Sequence, residues 1–405
     1  MKSVFESKEK CTGCGVCKNV CKANAITMKL CDDGFYYPQI NKELCTDCGA
    51  CARVCHYTNK NQTYDFSGNV FAVQSKDKKI LEKSQSGGLF AELAKRIISD
   101  GGVVYGAAFD EKFEVRHIRI NSCHQLYKLQ GSKYVQSVTT DIFKAVKTDL
   151  ESRVTVLFSG TPCQISALYS CVGHDREKLY TTDVLCHGVM SPKLWKEYLE
   201  YITSKYGEIK QADFRDNSYG WQIQNETFVT EDKKIKKNVF RKIFHKSLLL
   251  RPSCYSISEG KYVTVCKYAG LSRVSDITIG DFWGIKNAEE AFADINSGIS
   301  IAIVNTEKGR ELFDGIKQNV IWQKKSIDET IPRQPHLSCK DIGVSVEIIE
   351  KARWLYAMKG FLGVASAYGE NGIRGIYPKG VRFIKHLTNK ILKKFGINNN
   401  RGENK

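Results

Sequence analysis

Cys11-Thr12-Gly13-Cys14-Gly15-Val16-Cys17-Lys18-Asn19-Val20-Cys21 decides how this chain is read, because its Cys-x2-Cys-x2-Cys-x3-Cys spacing returns over Cys45, Cys48, Cys51 and Cys55. Three thiolates two residues apart can close on one compact inorganic body from a single tight loop, while a fourth must arrive from elsewhere. Gly13, Gly15 and Gly49 suit loops that fold closely around sulfur. Zinc also takes Cys-x2-Cys pairs, four ligands to a site, yet has no need of two interlocked four-cysteine runs. So short a segment buries little core, and the metal is expected to supply its stability.

The doublet resembles the two-cluster bacterial ferredoxins, in which the last cysteine of each run ligates the other cluster. That resemblance implies an α+β domain over residues 1–60 with two 4Fe-4S clusters, one on Cys11, Cys14, Cys17 and Cys55, the other on Cys45, Cys48, Cys51 and Cys21. Lys22 and His56 stand where a proline usually follows the fourth cysteine. Altered loop geometry or potential is expected there, not loss of ligation. Between the runs, Asp32 to Pro38 reads as a turn and a short hairpin strand, and Cys31 as a spare thiol.

The 405 residues leave room for two or three domains, and 42% hydrophobic content is ample for a core. No stretch has the 18 or more apolar residues of a membrane span, and MKSVFESKEK lacks the apolar run of a signal peptide. A cytoplasmic protein is expected, in which sixteen cysteines serve metal and not disulfides. The formal charge of +17 falls to about +13 once two oxidised clusters sit on eight thiolates. Such a balance describes a lysine-rich solvated surface, or one that meets acidic partners, anionic lipid or nucleic acid. No helix-turn-helix or other nucleic-acid module is present, so no nucleic-acid partner is expected.

After Cys55 the polar stretch 56–69 has linker composition, and a second domain is expected from Val70. Strand and helix patterns then alternate, which argues for an α/β fold with partly parallel pairing. Gln85-Ser86-Gly87-Gly88 precedes a helical face of Leu89, Phe90, Leu93, Ala94, Ile97 and Ile98, and glycines at a helix start let phosphate approach backbone amides. Val154 to Phe158 is a buried-strand run feeding Ser159-Gly160-Thr161-Pro162-Cys163. Leu179 to Leu185 likewise leads to Cys186-His187-Gly188, with Ser191 and Pro192 opening the next helix. Open α/β sheets bind ligands at this carboxyl edge of their strands.

GSKYVQS (131–137), FSGTPCQI (158–165), VLCHGV (184–189), RPSCY (251–255) and RVSDITIGDFWGI (273–285) together resemble the coenzyme F-420 hydrogenase/dehydrogenase beta-subunit family. The resemblance runs to about residue 310. It implies an iron-sulfur flavoprotein oxidoreductase with FAD in an α/β domain over residues 70–310, and relatives that reduce deazaflavin, chlorophyll-type or other substrates. Members with this N-terminal arrangement also resemble proteins associated with surface-polysaccharide synthesis. On the same resemblance Ser86, Gly87, Gly88, Lys133 and Tyr134 are expected at the flavin phosphates and ring, and Gly160 and Thr161 at its edge. Asp276 and Asp281 are expected to bind ribityl hydroxyls or relay a proton, or else to cap turns. His187 is the candidate proton donor to substrate, against a core histidine bonded to backbone.

Cys163, Cys186, Cys254 and Cys266 form a second constellation. In the family pattern the last pair reads Cys-x2-Cys, and here SISEGKYVTV is inserted, which reunites the ligands only if it makes a hairpin turning at Glu259-Gly260-Lys261. A third 4Fe-4S cluster is one reading, redox-active or merely buried cysteines the other. Cys123, Cys171 and Cys339 lack motif context and read as structural. Beyond residue 330, in a helical and basic region 331–405, Val381, Ile384, Leu387, Ile391 and Phe395 recur at helical spacing among lysines, giving a basic amphipathic helix for docking on its own domain or on a membrane surface. The function expected is electron transfer in series, from ferredoxin or another low-potential donor through the clusters to FAD and an unidentified small molecule. The alternative is an iron-sulfur carrier or interaction protein without flavin.

Overall fold

The structure is a computed structural model that describes residues 7–369, apart from 60–62, 140, 175, 223–224, 248, 259–260, 265, 286–290, 293, 335–336 and 338–344. Cys339, the turn residues Glu259 and Gly260, and the expected basic helix over 381–395 lie outside the described residues.

In the N-terminal region each cysteine run makes the same local structure. Gly15 (φ 73°) opens the short helix Val16–Asn19 and Gly49 (φ 70°) opens Ala50–Arg53, both left-handed conformations that favour glycine. Between them β1 (Ile26–Leu30) pairs antiparallel with β2 (Tyr36–Ile40), the hairpin expected from Asp32 to Pro38. Cys17 and Ile26 form a small buried cluster with Cys21, Ile40 and Cys51 packed on it.

The body is one eight-stranded mixed sheet. Its strands in chain order are β3 (Val70–Ser75), β4 (Val103–Phe109), β5 (Val115–Ile120), β6 (Val156–Gly160) and β7 (Leu179–Val184). After the small antiparallel sheet β8 (Gln211–Asp213), β9 (Glu226–Val229) and β10 (Lys234–Lys237), and the hairpin β11 (Tyr255–Ser258) and β12 (Lys261–Thr264), come β13 (Ile277–Asp281), β14 (Ser300–Val304) and β15 (Val320–Lys325). The spatial order is β15-β3-β14-β13-β7-β6-β4-β5. Pairing is parallel along β13-β7-β6-β4 and antiparallel on either side, so four neighbouring strands end at one edge.

Strand alternation sorts the core. Val104, Leu157 and Ile277 pack on one face with helices Leu89–Ser99 and Glu307–Asp314, while Val103, Tyr105, Val156 and Phe158 pack on the other with helices Ile142–Glu151 and Pro162–Val172. A further aromatic core centres on Trp195 and Tyr198 of helix Pro192–Tyr206, with Phe228, Phe240 and Phe361 around them. Phe361 comes from helix Val346–Tyr368, which breaks at Gly360 (φ 57°), where Glu197 accepts the Phe361 amide at 2.7 Å. No described helix is long and apolar enough to cross a membrane.

The polar stretch 56–69 does not run free. His56 is buried, and Tyr64 pairs with Arg273 through two backbone hydrogen bonds. Composition hid this because His56 is satisfied by partners far away in sequence. The N-terminal region is pinned along its whole inner face: Thr139 Oγ1 donates to Cys14 O at 2.5 Å, Gln136 Nε2 to Gly13 O at 3.2 Å, and Ser191 Oγ to Gly34 O at 3.0 Å.

Candidate functional site

The carboxyl edge of the four parallel strands opens into a cavity of about 380 Å³. Gly106 and Ala107 of β4, Ser159-Gly160-Thr161 at the end of β6, Val184 to Gly188 from the end of β7 and Ile279 to Asp281 of β13 line it. Its volume lies in the range of small-molecule sites, about 300–1,000 Å³.

Besides Cys14, four cysteines reach this cavity from four separate segments. Thr161 and Gln164 cap helix Pro162–Val172, with Thr161 N donating to Gln164 Oε1 at 2.9 Å, which sets Cys163 in the helix's first turn. Thr161 Oγ1 donates to Gln164 Oε1 at 3.1 Å and lies 3.1 Å from Cys163 Sγ, so its oxygen is left to accept from the thiol. Cys186 follows β7, and Gly188 N points at its sulfur at 3.4 Å. Cys254 closes the turn Pro252–Cys254. Cys266 follows β12, whose antiparallel register with β11 (Tyr255 opposite Thr264) folds the inserted residues back and returns Cys266 toward Cys254. The insertion is thus the hairpin that convergence requires.

The four thiols feel one another. Burial pushes Cys163 up to about 11 and Cys186 up to about 12, and it drives Cys254 well above its ordinary value; repulsion within the set adds to each. Four partly buried thiols gathered at one cavity cannot readily ionise together without a cation to receive them. The chemistry of this donor set fits a 4Fe-4S cluster.

The first run behaves the same way. Cys11, Cys14, Cys17 and Cys55 line a separate small cavity beneath Met28 and Pro38, the set in which the last cysteine comes from the other run. Burial raises Cys11, Cys14 and Cys17, Cys14 to about 12. In the second run Cys51 is raised by burial and feels Cys21 and Cys48. Cys48 is exposed, and the Ala50 amide with Thr46 holds its thiol below the usual value. Among the described residues no three His, Cys, Asp or Glu side chains draw in tightly enough to grip a single metal ion. Cys14 lines both cavities.

Ser86, Gly88, Lys133, Tyr134, Gly160, Thr161, His187 and Asp281 all line the large cavity. Gly87 does not. A Cβ there would meet Val73 O at 2.2 Å and Ser300 N at 2.7 Å, so this glycine lets the helix entry press on the sheet. Asp276 is also elsewhere: its carboxylate accepts from Thr181 N (2.8 Å), Thr181 Oγ1 (2.7 Å) and Thr306 Oγ1 (2.7 Å) at the opposite end of β13. Lys133 Nζ donates to Lys128 O and Gln130 O at 3.2 and 2.7 Å, and burial holds its pKa down to about 7. Asp281 accepts from Arg215 Nη1 at 2.6 Å and Trp221 Nε1 at 2.8 Å, which holds Arg215 at the cavity wall. His187 Nε2 lies 2.9 Å from Gln334 Oε1, and burial lowers its pKa.

Sequence reasoning passed over Arg215, Glu226, Arg241, His117, His245 and Arg251, which also line the cavity. Glu226 is buried, which raises its carboxyl to about 7 although Arg241 N donates to it at 2.7 Å. Nothing in their local spacing marks these residues. Only the convergence of distant strands does so.

Residues 154–330 match the family described as the C terminus of the coenzyme F420 hydrogenase/dehydrogenase beta subunit, and residues 10–59 match the 4Fe-4S dicluster domain. A chain of the F420-reducing [NiFe] hydrogenase complex from Methanosarcina barkeri is similar at 18% identity, with 74% of this chain and 94% of that chain covered and a TM-score of 0.46. No curated relative matches.

Proposed function

We propose, from this chain's membership of the coenzyme F420 hydrogenase/dehydrogenase beta-subunit family behind a 4Fe-4S dicluster domain, that it is an iron-sulfur flavoprotein oxidoreductase. The observation that carries the reading is Cys14, which borders both the first run's cavity and the cavity lined by Cys163, Cys186, Cys254 and Cys266. On this reading the thiol sets form a series from surface to cavity: Cys21, Cys45, Cys48 and Cys51, then Cys11, Cys14, Cys17 and Cys55, then the four later cysteines. Exposed Cys48 places the first set where ferredoxin or another low-potential donor can approach.

FAD is the cofactor proposed for the cavity, where it would exchange single electrons for pairs with a small-molecule substrate. Gly88 opens helix Leu89–Ser99 at the cavity wall, and its N-terminal amides favour phosphate. Arg215, paired with Asp281, and Lys133 also line the cavity. Glu226 and Lys133, both brought to about 7 by burial, are the cavity's proton-bearing groups matched to neutral pH. A setting in surface-polysaccharide synthesis is proposed on resemblance alone.

Anaerobic reconstitution of the full chain, followed by iron and flavin quantification, tests the reading. About twelve irons and one flavin per chain are expected. Eight irons without flavin would replace it by the electron-carrier alternative.

A further inference from the structure

Arg251 is among the largest side chains sealed inside this protein, 1% exposed. It enters the N-terminal region from the body. Its Nε donates to Cys11 O at 2.9 Å and Nη2 to Tyr36 O at 3.0 Å, and the guanidinium lies over the Tyr37 ring, 4.4 Å from the centroid, with Phe35 at 5.3 Å. Gly13 (φ 64°) makes the room: a Cβ there would stand 2.6 Å from Arg251 Cζ. Among the described residues Nη1 has no hydrogen-bond partner, although it is buried. A sealed cation with a spare N–H is costly unless negative charge lies nearby.

Both inner thiol sets supply it. Arg251 lines the large cavity beside Cys14, Cys163 and Cys254. Cys21, Cys45, Cys48 and Cys51 of the outer set line neither cavity.

We propose that Arg251 is the positioning residue that sets the reduction potentials of the two inner clusters, raising both above the outer one so that electrons run inward. The inference rests on the reading that both inner thiol sets carry clusters. A reduced cluster is one charge more negative, and a fixed cation in a dry site stabilises that state preferentially. The outer cluster, beyond its reach, keeps the lower potential at which a donor can load it. The two backbone carbonyls that hold the fork fix the charge between the sites, a task for planar arginine more than for lysine.

Wild type, Arg251→Gln and Arg251→Lys, each as the full chain reconstituted anaerobically, would be compared by iron content and by redox titration followed by electron paramagnetic resonance. In R251Q the inner clusters are expected to be at least tenfold harder to reduce relative to the oxidised form at a fixed potential, a downward shift of 59 mV for one electron, with the outer cluster unmoved. R251K should stay within threefold of wild type. R251Q that loses inner iron while R251K loads fully with near-native potentials would also support a requirement for the charge. Full loading of R251Q with no shift, an equal shift in all clusters, or equal iron loss in both variants would overturn the proposal. Wild type with eight irons would sink the third-cluster reading separately, and the shift at the Cys11 set alone would then decide for or against Arg251.

Discussion

His56 Nδ1 lies 2.5 Å from the Tyr268 hydroxyl while its Nε2 lies 3.0 Å from Thr12 Oγ1, so one buried imidazole joins both cysteine runs to the segment that follows Cys266. The Lys267 ammonium donates to the carbonyl of the same histidine. The position where proline usually closes a ferredoxin run has become a joint between the cluster region and the body. Proline has no side chain able to reach either partner.

His56→Ala leaves a void and strips Tyr268 and Thr12 of their partner. A loss of about 2 kcal/mol is expected, read by denaturant titration, together with faster proteolytic cutting within 56–69. A variant with native stability and native cutting would show the joint to be idle.

Serine replacement should separate the three thiol sets. Cys48→Ser, Cys14→Ser and Cys163→Ser are each expected to lower iron from about twelve to about eight per chain. Cys14→Ser alone should also break the passage between outer and inner sites, so that a slow donor reduces the outer cluster and stalls. Loss of iron from two sets in Cys163→Ser would mean that the later cysteines do not form a site of their own.

Arg273 holds the cavity edge together from beneath. Its Nη2 meets Asp183 Oδ1 at 2.9 Å with both side chains at most 3% exposed, Nε bonds Thr278 Oγ1 at 3.1 Å and Nη1 bonds Tyr268 O at 3.0 Å. β7, β13 and the Cys266 segment thus share one cation. Arg273→Ala strands a buried carboxylate and should cost about 3–5 kcal/mol. Adding Asp183→Asn should recover part of that loss, and strict additivity of the two in thermal melts would refute direct coupling.

How far the sequence foretold this site depends on what each residue needs. The cysteine runs are legible because cluster geometry dictates their spacing locally, and the β11–β12 hairpin because convergence of Cys254 and Cys266 demanded it. Asp276 and Asp281 were indistinguishable on paper. The five residues Ile277–Asp281 cross the sheet, so Asp281 reaches the carboxyl edge while Asp276 binds Thr181 and Thr306 at the other end. Which end faces the cavity follows from the parallel pairing of β13 with β7, a non-local fact. Arg251 and His56 are hidden for the same reason, since their partners lie 240 and 212 residues away.

His117 gives the fold an acid limit. Its Nδ1 lies 2.7 Å from Ser137 Oγ and its Nε2 3.0 Å from Ser159 O, with the ring stacked on Phe158. Burial holds its pKa down to about 4, the Ser159 carbonyl opposing and Lys133 assisting. Between the unfolded value of about 6.5 and 4, the unfolded chain binds a proton that the folded chain refuses. Stability from this group is therefore full above pH 6.5 and falls as pH drops toward 4, by up to about 1.4 kcal/mol per unit. His117→Gln should flatten that slope in thermal melts from pH 7.5 to 5, leaving the shares contributed by His56, His187 and His245, which burial also holds down. An unchanged slope would mean that His117 is charged in the fold.

Flavin occupancy is best challenged at Ser132. Gly88→Val cannot serve, because Gly88 sits at φ 78° and a Cβ would press on Ile80 Cγ2 at 2.8 Å, so lost flavin would be confused with lost fold. Ser132 lines the cavity at its exposed rim, and its structural duty is a backbone one, donating its amide to Gln85 Oε1 at 2.7 Å. Ser132→Trp keeps that hydrogen bond and places an indole in the mouth of a 380 Å³ space. Iron content and melting temperature should stay native while retained flavin, and flavin bound on titration of the apo-flavin protein, fall at least tenfold. Native flavin binding in this variant would move the flavin away from the carboxyl edge of β4, β6, β7 and β13.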